Sequence, residues 1–244
     1  MNPYRLALAG NPNTGKSTLF NALTGMNQHT GNWAGKTVLR AEGTFTWKEQ
    51  EYVLVDLPGT YSLFANSADE EVARDSILLE KPDAVIVVAD ATSLERHLNL
   101  ALQVMEMTNR VVLAVNLLDE ARKLGISIDL PLLEERLGVP VVGISARKRQ
   151  GLNDLLNRME EVATGSVVPQ PRPIRYPAEV ESALARLIPV LEERVGEAYP
   201  ARWLALRILD GDLGLLNSLL QGTEPSNVVW NEKGVIADAP TISG

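Results

Sequence analysis

Gly10-Asn11-Pro12-Asn13-Thr14-Gly15-Lys16-Ser17 decides how this chain is read. The stretch fits GxxxxGK followed by a hydroxyl residue, and it stands between an apolar run at 5–9 and a helical-period segment at 16–25. That strand–loop–helix setting is what a phosphate-cradling loop needs. Its glycines let backbone N–H groups converge on phosphate oxygens, the helix N-terminus adds partial positive charge, and Lys16 supplies a full one. Ser17 is then placed to bind Mg²⁺. Chance alone gives the pattern in about one chain in a hundred of this length.

Outward from that loop, apolar runs at 5–9, 37–47, 52–56, 84–90, 111–116 and 139–144 read as strands. Helical periods at 16–25, 68–79, 94–107, 130–137 and 152–163 fall among them. Such alternation predicts an α/β fold, a mixed six-stranded sheet flanked by helices. The second and third runs are joined by only residues 48–51, so they form an antiparallel hairpin; a parallel crossover needs a dozen residues or more. Pro169, Pro171, Pro173 and Pro177 exclude regular helix at 166–177, which reads as a linker closing a first domain at 1–165. Beyond it, Val180, Leu184, Leu187, Leu191 and Val195, then Trp203, Leu206 and Leu209, then Leu213, Leu216, Leu219 and Leu220, recur at helical spacing. They predict a small all-α domain at 178–222, its first helix kinked at Pro189. Residues 223–244, rich in Gly, Pro, Ser and Asn, read as a flexible tail.

Composition narrows the chemistry. The 244 residues include no cysteine, so no disulfide framework or thiolate metal site can form. A formal charge of −8 disfavours nucleic acid as a partner, because neutralising phosphates needs clustered Lys and Arg. No apolar run approaches the ~20 residues of a membrane-spanning helix, and no cleavable leader is evident; a cytoplasmic location is expected.

Three further elements follow strands. Asp56-Leu57-Pro58-Gly59 ends the run at 52–56, where a carboxylate can hold a metal-bound water and a Gly N–H can meet a γ-phosphate. Asn116-Leu117-Leu118-Asp119 follows the run at 111–116 and is similar to the NKxD element of guanine-nucleotide proteins, whose Asp accepts from guanine N1 and N2; adenine offers no such pair. A rival NxxD at Asn66-Ser67-Ala68-Asp69 follows no strand, so position decides between them. Ser145-Ala146 after the run at 139–144 brings a backbone N–H toward guanine O6.

With these elements in order the chain resembles P-loop, Ras-like GTPases, and one segment narrows the resemblance. Gly31-Asn32-Trp33-Ala34-Gly35-Lys36-Thr37-Val38 is similar to the GNWPGxTV switch of the ferrous-iron transporter B (FeoB) family, and Asp56–Leu63 to its DLPGxYSL. By resemblance, residues 1–165 are a G domain and the helical part a spacer leading to a membrane-embedded iron permease that this chain lacks. The implied function is slow GTP hydrolysis that gates or regulates ferrous iron uptake at the cytoplasmic face of the membrane, and the implied partners are guanine nucleotide, the permease and, for assembly, a second copy of the chain. A nucleotide-controlled binding module and an RNA- or ribosome-associated GTPase are the alternatives.

The nucleotide set the resemblance implies is Gly10, Asn11, Asn13, Thr14, Gly15, Lys16, Ser17, Thr18, Asp56, Gly59, Asn116, Leu117, Asp119, Ser145, Ala146 and Arg147, with GTP or GDP as ligand. Mg²⁺ falls to Ser17, Thr37 and, through water, Asp56. Lys16, Thr37, Gly59 and Asn13 serve hydrolysis. K⁺ falls to Asn13 with the Gly31 and Trp33 carbonyls. Thr60 stands where Ras-like proteins carry a water-orienting Gln, and its short hydroxyl cannot span that distance, so the intrinsic rate should be low. Leu117 replaces the usual Lys, removing a cationic stem from the face of the base, and Ala34 replaces a Pro, which loosens the switch. His29 and His97 are read as non-ligands, Asp69, Glu70 and Glu71 as a helix start, and Trp33 as an exposed aromatic in a mobile loop.

Overall fold

In the computed structural model, residues 2–25, 28–33, 36–64, 67–196, 198–212, 228–230 and 236–238 are described, the last two segments by their backbone. The chain divides into two compact units, Met1–Ile174 and Arg175–Gly244.

The first unit is built on β1 (Tyr4–Gly10), α1 (Lys16–Thr24), β2 (Gln28–Asn32), β3 (Leu39–Trp47), β4 (Gln50–Asp56), α2 (Ala68–Leu79), β5 (Ala84–Asp90), α3 (Leu94–Met107), β6 (Val111–Asn116), α4 (Leu118–Lys123), α5 (Leu130–Leu137), β7 (Val141–Gly143) and α6 (Leu152–Ala163). Among the described residues these strands form a seven-stranded sheet in the order β2-β3-β4-β1-β5-β6-β7. Pairing is parallel from β4 across β1, β5 and β6 to β7 and antiparallel at β2·β3 and β3·β4. The central strands read as unbroken apolar runs because helices cover both faces: all of β6 is buried, and so is β5 up to its last residue. Leu6, Leu8, Ile86, Val112 and Ala114 pack there against Leu19, Leu155 and Met159 from α1 and α6.

The β3–β4 hairpin turns on Lys48 and Glu49, both at positive φ (46° and 67°), the conformation in which a two-residue loop matches strand twist. The sheet has one strand more than the six expected. Gln28–Asn32 is polar and exposed along nearly its whole length, so no hydrophobic alternation marks it; it pairs with β3 as the sheet's edge. Residues 37 and 38, expected in strand, form a bend instead.

The second unit contains α7 (Ala178–Val195) and α8 (Ala201–Leu209). The helical assignment of α7 continues through Pro189, which costs the N–H that would reach residue 185. Leu184, Leu191 and Val195 meet a core with Trp203, Leu204 and Ile208. The predicted repeat at Leu213, Leu216, Leu219 and Leu220 lies outside the described residues. In the stretch read as a tail, Val228–Trp230 and Ile236–Asp238 pair as an antiparallel two-stranded ladder. No described helix is long and apolar enough to cross a membrane.

Candidate functional site

The site forms at the carboxyl ends of β1, β4 and β6, where open α/β sheets leave a crevice. β1 ends at Gly10, packed so tightly that a Cβ there would lie 2.9 Å from the Val88 carbonyl oxygen. The chain then turns through Asn11, whose carbonyl accepts from the Thr14 hydroxyl at 2.9 Å. Asn13 (φ 67°) and Gly15 (φ 82°) both take left-handed backbone, and Gly15 is the N-cap of α1. That helix has neither a side-chain cap nor an acidic residue in its first turn. Its leading N–H groups and the positive end of its dipole therefore face the crevice uncompensated.

Asn11, Pro12, Asn13, Gly15, Lys16, Ser17, Thr18 and Gly59 line this cleft, of about 390 Å³. Lys16 is 8% exposed. Its ammonium donates to the Asp56 carboxylate and to the Leu57 carbonyl oxygen at 2.7 Å. The Asp56 carboxyl sits above its ordinary value because burial outweighs the attraction of the Lys16 ammonium. The Asn11 side-chain oxygen is buried with no protein partner, an acceptor in the cleft wall left for a donor or cation.

The base motif is tied to this loop. Asn116 donates through Nδ2 to the Thr14 carbonyl at 2.9 Å and accepts through Oδ1 from the Ala146 N–H at 3.0 Å, so one buried amide joins the phosphate loop to the segment after β7. Of the Ser145-Ala146 segment expected to bring a backbone N–H to guanine O6, the Ala146 N–H is bonded to Asn116 here. Leu117 takes positive φ (63°) and caps α4, which turns Asp119 toward Ser145. Asp119 Oδ1 accepts from the Ser145 hydroxyl at 2.8 Å, and its Oδ2 pairs with the Lys148 ammonium at 2.9 Å. Lys148 and then Ser145 hold the Asp119 carboxyl down at about 2. Arg147 stands between them in the short 3₁₀ turn Ala146–Lys148. Lys148 is not in the set expected from the sequence, where its only mark is a cation three residues past the serine.

The switch segment lies elsewhere. Thr37 is exposed and does not line the cleft, and Gly31 sits in β2 opposite Arg40. Trp33 is a correction: it is 7% exposed, with the Arg40 guanidinium 4.2 Å above its ring. The Arg40 guanidinium covers the indole face, while the indole N–H is buried without a hydrogen-bond partner among the described residues. Its N–H and carbonyl close a turn with Val38 and Lys36 at 2.9 and 3.0 Å. Ala34 lies outside the described residues. His97 is buried, its Nδ1 accepting from the Asp90 N–H at 3.3 Å, and His29 is exposed. Asp69, Glu70 and Glu71 open α2 behind the Ser67 cap; Glu70 accepts from Ser62 and Glu71 pairs with Lys36. No cluster of three metal-ligating side chains occurs among the described residues.

A phosphate loop, a following DxxG and a base motif ordered along one mixed sheet define the Ras-like G-domain class of P-loop proteins. The model for Ferrous iron transport protein B matches residues 4–159, and that for the FeoB cytosolic helical domain matches residues 176–233. The chain belongs to the FeoB family. It is 42% identical over 240 residues to the Fe(2+) transporter FeoB of Methanocaldococcus jannaschii, covering 98% of this chain and 35% of that protein. Against the Escherichia coli transporter it is 40% identical over 223 residues, covering 87% of this chain and 28% of that one, so it spans about a third of its curated relatives or less. The cytosolic domain of T. maritima FeoB in a GDP form superposes with a TM-score of 0.84 at 38% identity, covering 96% of this chain and 89% of that one. The GMPPNP form of the same domain gives 0.81, again at 38% identity, covering 95% and 89%.

Proposed function

We propose that this chain binds GTP and hydrolyses it slowly, as the cytoplasmic part of a ferrous iron transporter whose permease it regulates. The observation that carries the reading is the Asn116 amide, which joins the phosphate loop at Thr14 to the base corner at Ala146. Polyphosphate on the α1 N-terminus and a purine near Asp119 then belong to one ligand. The GDP and GMPPNP forms of the T. maritima domain support that assignment.

Lys16, the N–H groups of 13–18 and the Gly59 N–H bind the phosphates, and Asp119 takes the guanine edge. The hard-oxygen donors Ser17, Asp56 and Thr37 would hold Mg²⁺, and Asn13 on the cleft wall would hold K⁺; when bound, these cations would neutralise phosphate charge. Before Lys16 can serve the phosphates it must loosen from Asp56, leaving that carboxylate for the metal. Thr37 must swing into the cleft. The Trp33 carbonyl accepts one bond, from the Lys36 N–H at 3.0 Å, and its second lone pair would serve K⁺ once the segment moves to the cleft. Hydrolysis is then mainly positioning and charge stabilisation, without a Gln or an arginine finger.

The exposure of Thr37 also favours a second reading, in which the nucleotide-set shape of 26–37 and 57–75 is the output and turnover only resets it. Binding and turnover of GTP and ATP, each in K⁺ and in Na⁺, test the proposal. GTP alone is bound and turned over, faster in K⁺, and Lys16→Ala abolishes binding. Equal affinity for ATP overturns the base reading, equal rates in both salts overturn the K⁺ assignment, and no turnover at all overturns hydrolysis and leaves nucleotide binding alone.

A further inference from the structure

The acceptor pair of Asp119 is held from both sides. Ser145 bonds one oxygen from the start of the loop after β7, and Lys148 bonds the other from the end of the 3₁₀ turn. The loop that presents them is closed on itself. Ser145 and Gln150 exchange backbone bonds at 3.1 and 3.2 Å, the Lys148 N–H returns to the Ser145 carbonyl at 3.1 Å, and Arg149 takes positive φ (55°) to complete the turn. Behind it Gly151, also at positive φ (74°), lies so close to the Gly143 carbonyl that a Cβ there would overlap it. Lys148 therefore projects from a fixed frame. Its side chain is 48% exposed, whereas that of Asp119 is 12% exposed, so the ammonium reaches a sheltered carboxylate from the solvent side.

A carboxylate on one tether can rotate about its terminal torsion, which is broad and roughly two-fold. Tethered at both oxygens, it presents its remaining lone pairs in one plane. Guanine needs that arrangement, since its N1 and N2 donors lie side by side and each must find an oxygen. Four acceptor positions on an ionised carboxylate leave room for Ser145, Lys148 and both base donors together. Among the described residues, Lys148 is the ammonium seated on the carboxylate.

We propose that Lys148 is a specificity-determining positioning residue, which fixes the outer oxygen of Asp119 so that the carboxylate accepts from both guanine donors at once. The proposal rests on the guanine reading of Asp119 given above. The Lys148 ammonium and the Ser145 hydroxyl hold the Asp119 carboxyl below its ordinary value, in accord with this geometry.

The test is the ratio of affinities for GDP and IDP, since inosine keeps N1–H and lacks the exocyclic N2 amine. In the full chain, Lys148→Met lowers the GDP:IDP ratio by about two- to fivefold, the scale of a half-exposed ion pair, and Lys148→Arg retains it. Raised salt narrows the difference between wild type and Lys148→Met, because an exposed pair is screened. An equal loss for both nucleotides makes Lys148 only a loop-folding residue and overturns the proposal. An unchanged or larger ratio overturns it as well. Asp119→Ala separates this failure from that of the parent reading: if it binds GDP as tightly as wild type does, Asp119 does not read the base and both fall.

Discussion

A methyl group at Gly15 would overlap the Asn116 amide and force a left-handed backbone (φ 82°) on a side-chain-bearing residue. The second effect alone costs about 1–2 kcal/mol. The first displaces the amide that bonds Thr14 and Ala146, at about 1 kcal/mol for each bond lost. Gly15→Ala should therefore lose about 2–4 kcal/mol of stability in denaturant unfolding and weaken GDP binding at least about tenfold, measured by calorimetry. Wild-type GDP affinity in that variant would mean the loop and the base corner are not linked through Asn116. At this scale the sequence was informative where a residue's role is set by its immediate neighbours. Asn11, Asn13, Gly15, Lys16 and Ser17 line the cleft together because strand, turn and helix follow one another directly. It was uninformative where a distant partner decides. Nothing local in Trp33 announces Arg40 above its ring, and nothing in Lys148 announces Asp119, 29 positions earlier in the chain.

The helices and strands sort by how much of their own surface carries the signal. α2, α3 and α6 lie where the apolar period places them, since a helix that covers a sheet must bury one stripe, and α5 lies there too with no residue fully buried. β2 and α4 carry no such period: one is a polar edge strand held by ladder bonds to β3, the other is a short helix of six residues set by the turn at Leu117. In the second unit, the start of α7 depends on Glu181, which accepts from the Tyr176 N–H at 2.9 Å and pairs with Arg202 of α8 at 2.9 Å. Arg202 first and the Tyr176 N–H second hold the Glu181 carboxyl down at about 2, against an ordinary 4.5. A carboxyl depressed in the folded state contributes stability above its unfolded value and loses it as pH falls toward the folded one. The window is therefore from about pH 4.5 down to about pH 2. Hydrogen exchange of the α7 amides, corrected for intrinsic rates, should show Glu181→Gln less protected than wild type at neutral pH. That gap should narrow between about pH 5 and pH 3. A gap that stays constant across the range would show that Glu181 contributes by packing and not by charge.

For the whole molecule the question is where the first unit ends. The proline-rich stretch reads as a linker from residue 166, yet the compact unit continues to Ile174. The reason is in the backbone accounting. α5 ends at a left-handed Gly138 (φ 73°), where the last carbonyls of a helix lack intrahelical partners. Two of them are met from the supposed linker, the Gly138 carbonyl by the Gln170 N–H and the Leu137 carbonyl by the Arg172 N–H, both at 2.9 Å. Val167 adds a third bond to the Glu161 carbonyl at 2.9 Å, and Pro169 is buried between them. Proline spacing exposes this logic only in hindsight: residues 170 and 172 keep their N–H groups because Pro169, Pro171 and Pro173 take the alternate positions. An extended strap with donors on one side results, without any helix or strand to mark it. A chain ending at residue 165 should therefore be less stable than one ending at 174, although both contain the same sheet. Three backbone bonds at about 0.5–1.5 kcal/mol each bound the difference at about 4.5 kcal/mol, and the cost of ordering the strap lowers it from there. For a domain of this size each kcal/mol is about 2–4 °C in melting temperature. Gly138→Ala in the full chain supplies the independent check, since its Cβ would overlap the Gln170 carbonyl and drive the strap off without shortening the chain. Equal melting of the two truncations, with Gly138→Ala as stable as wild type, would return residues 166–174 to the status of a passive linker.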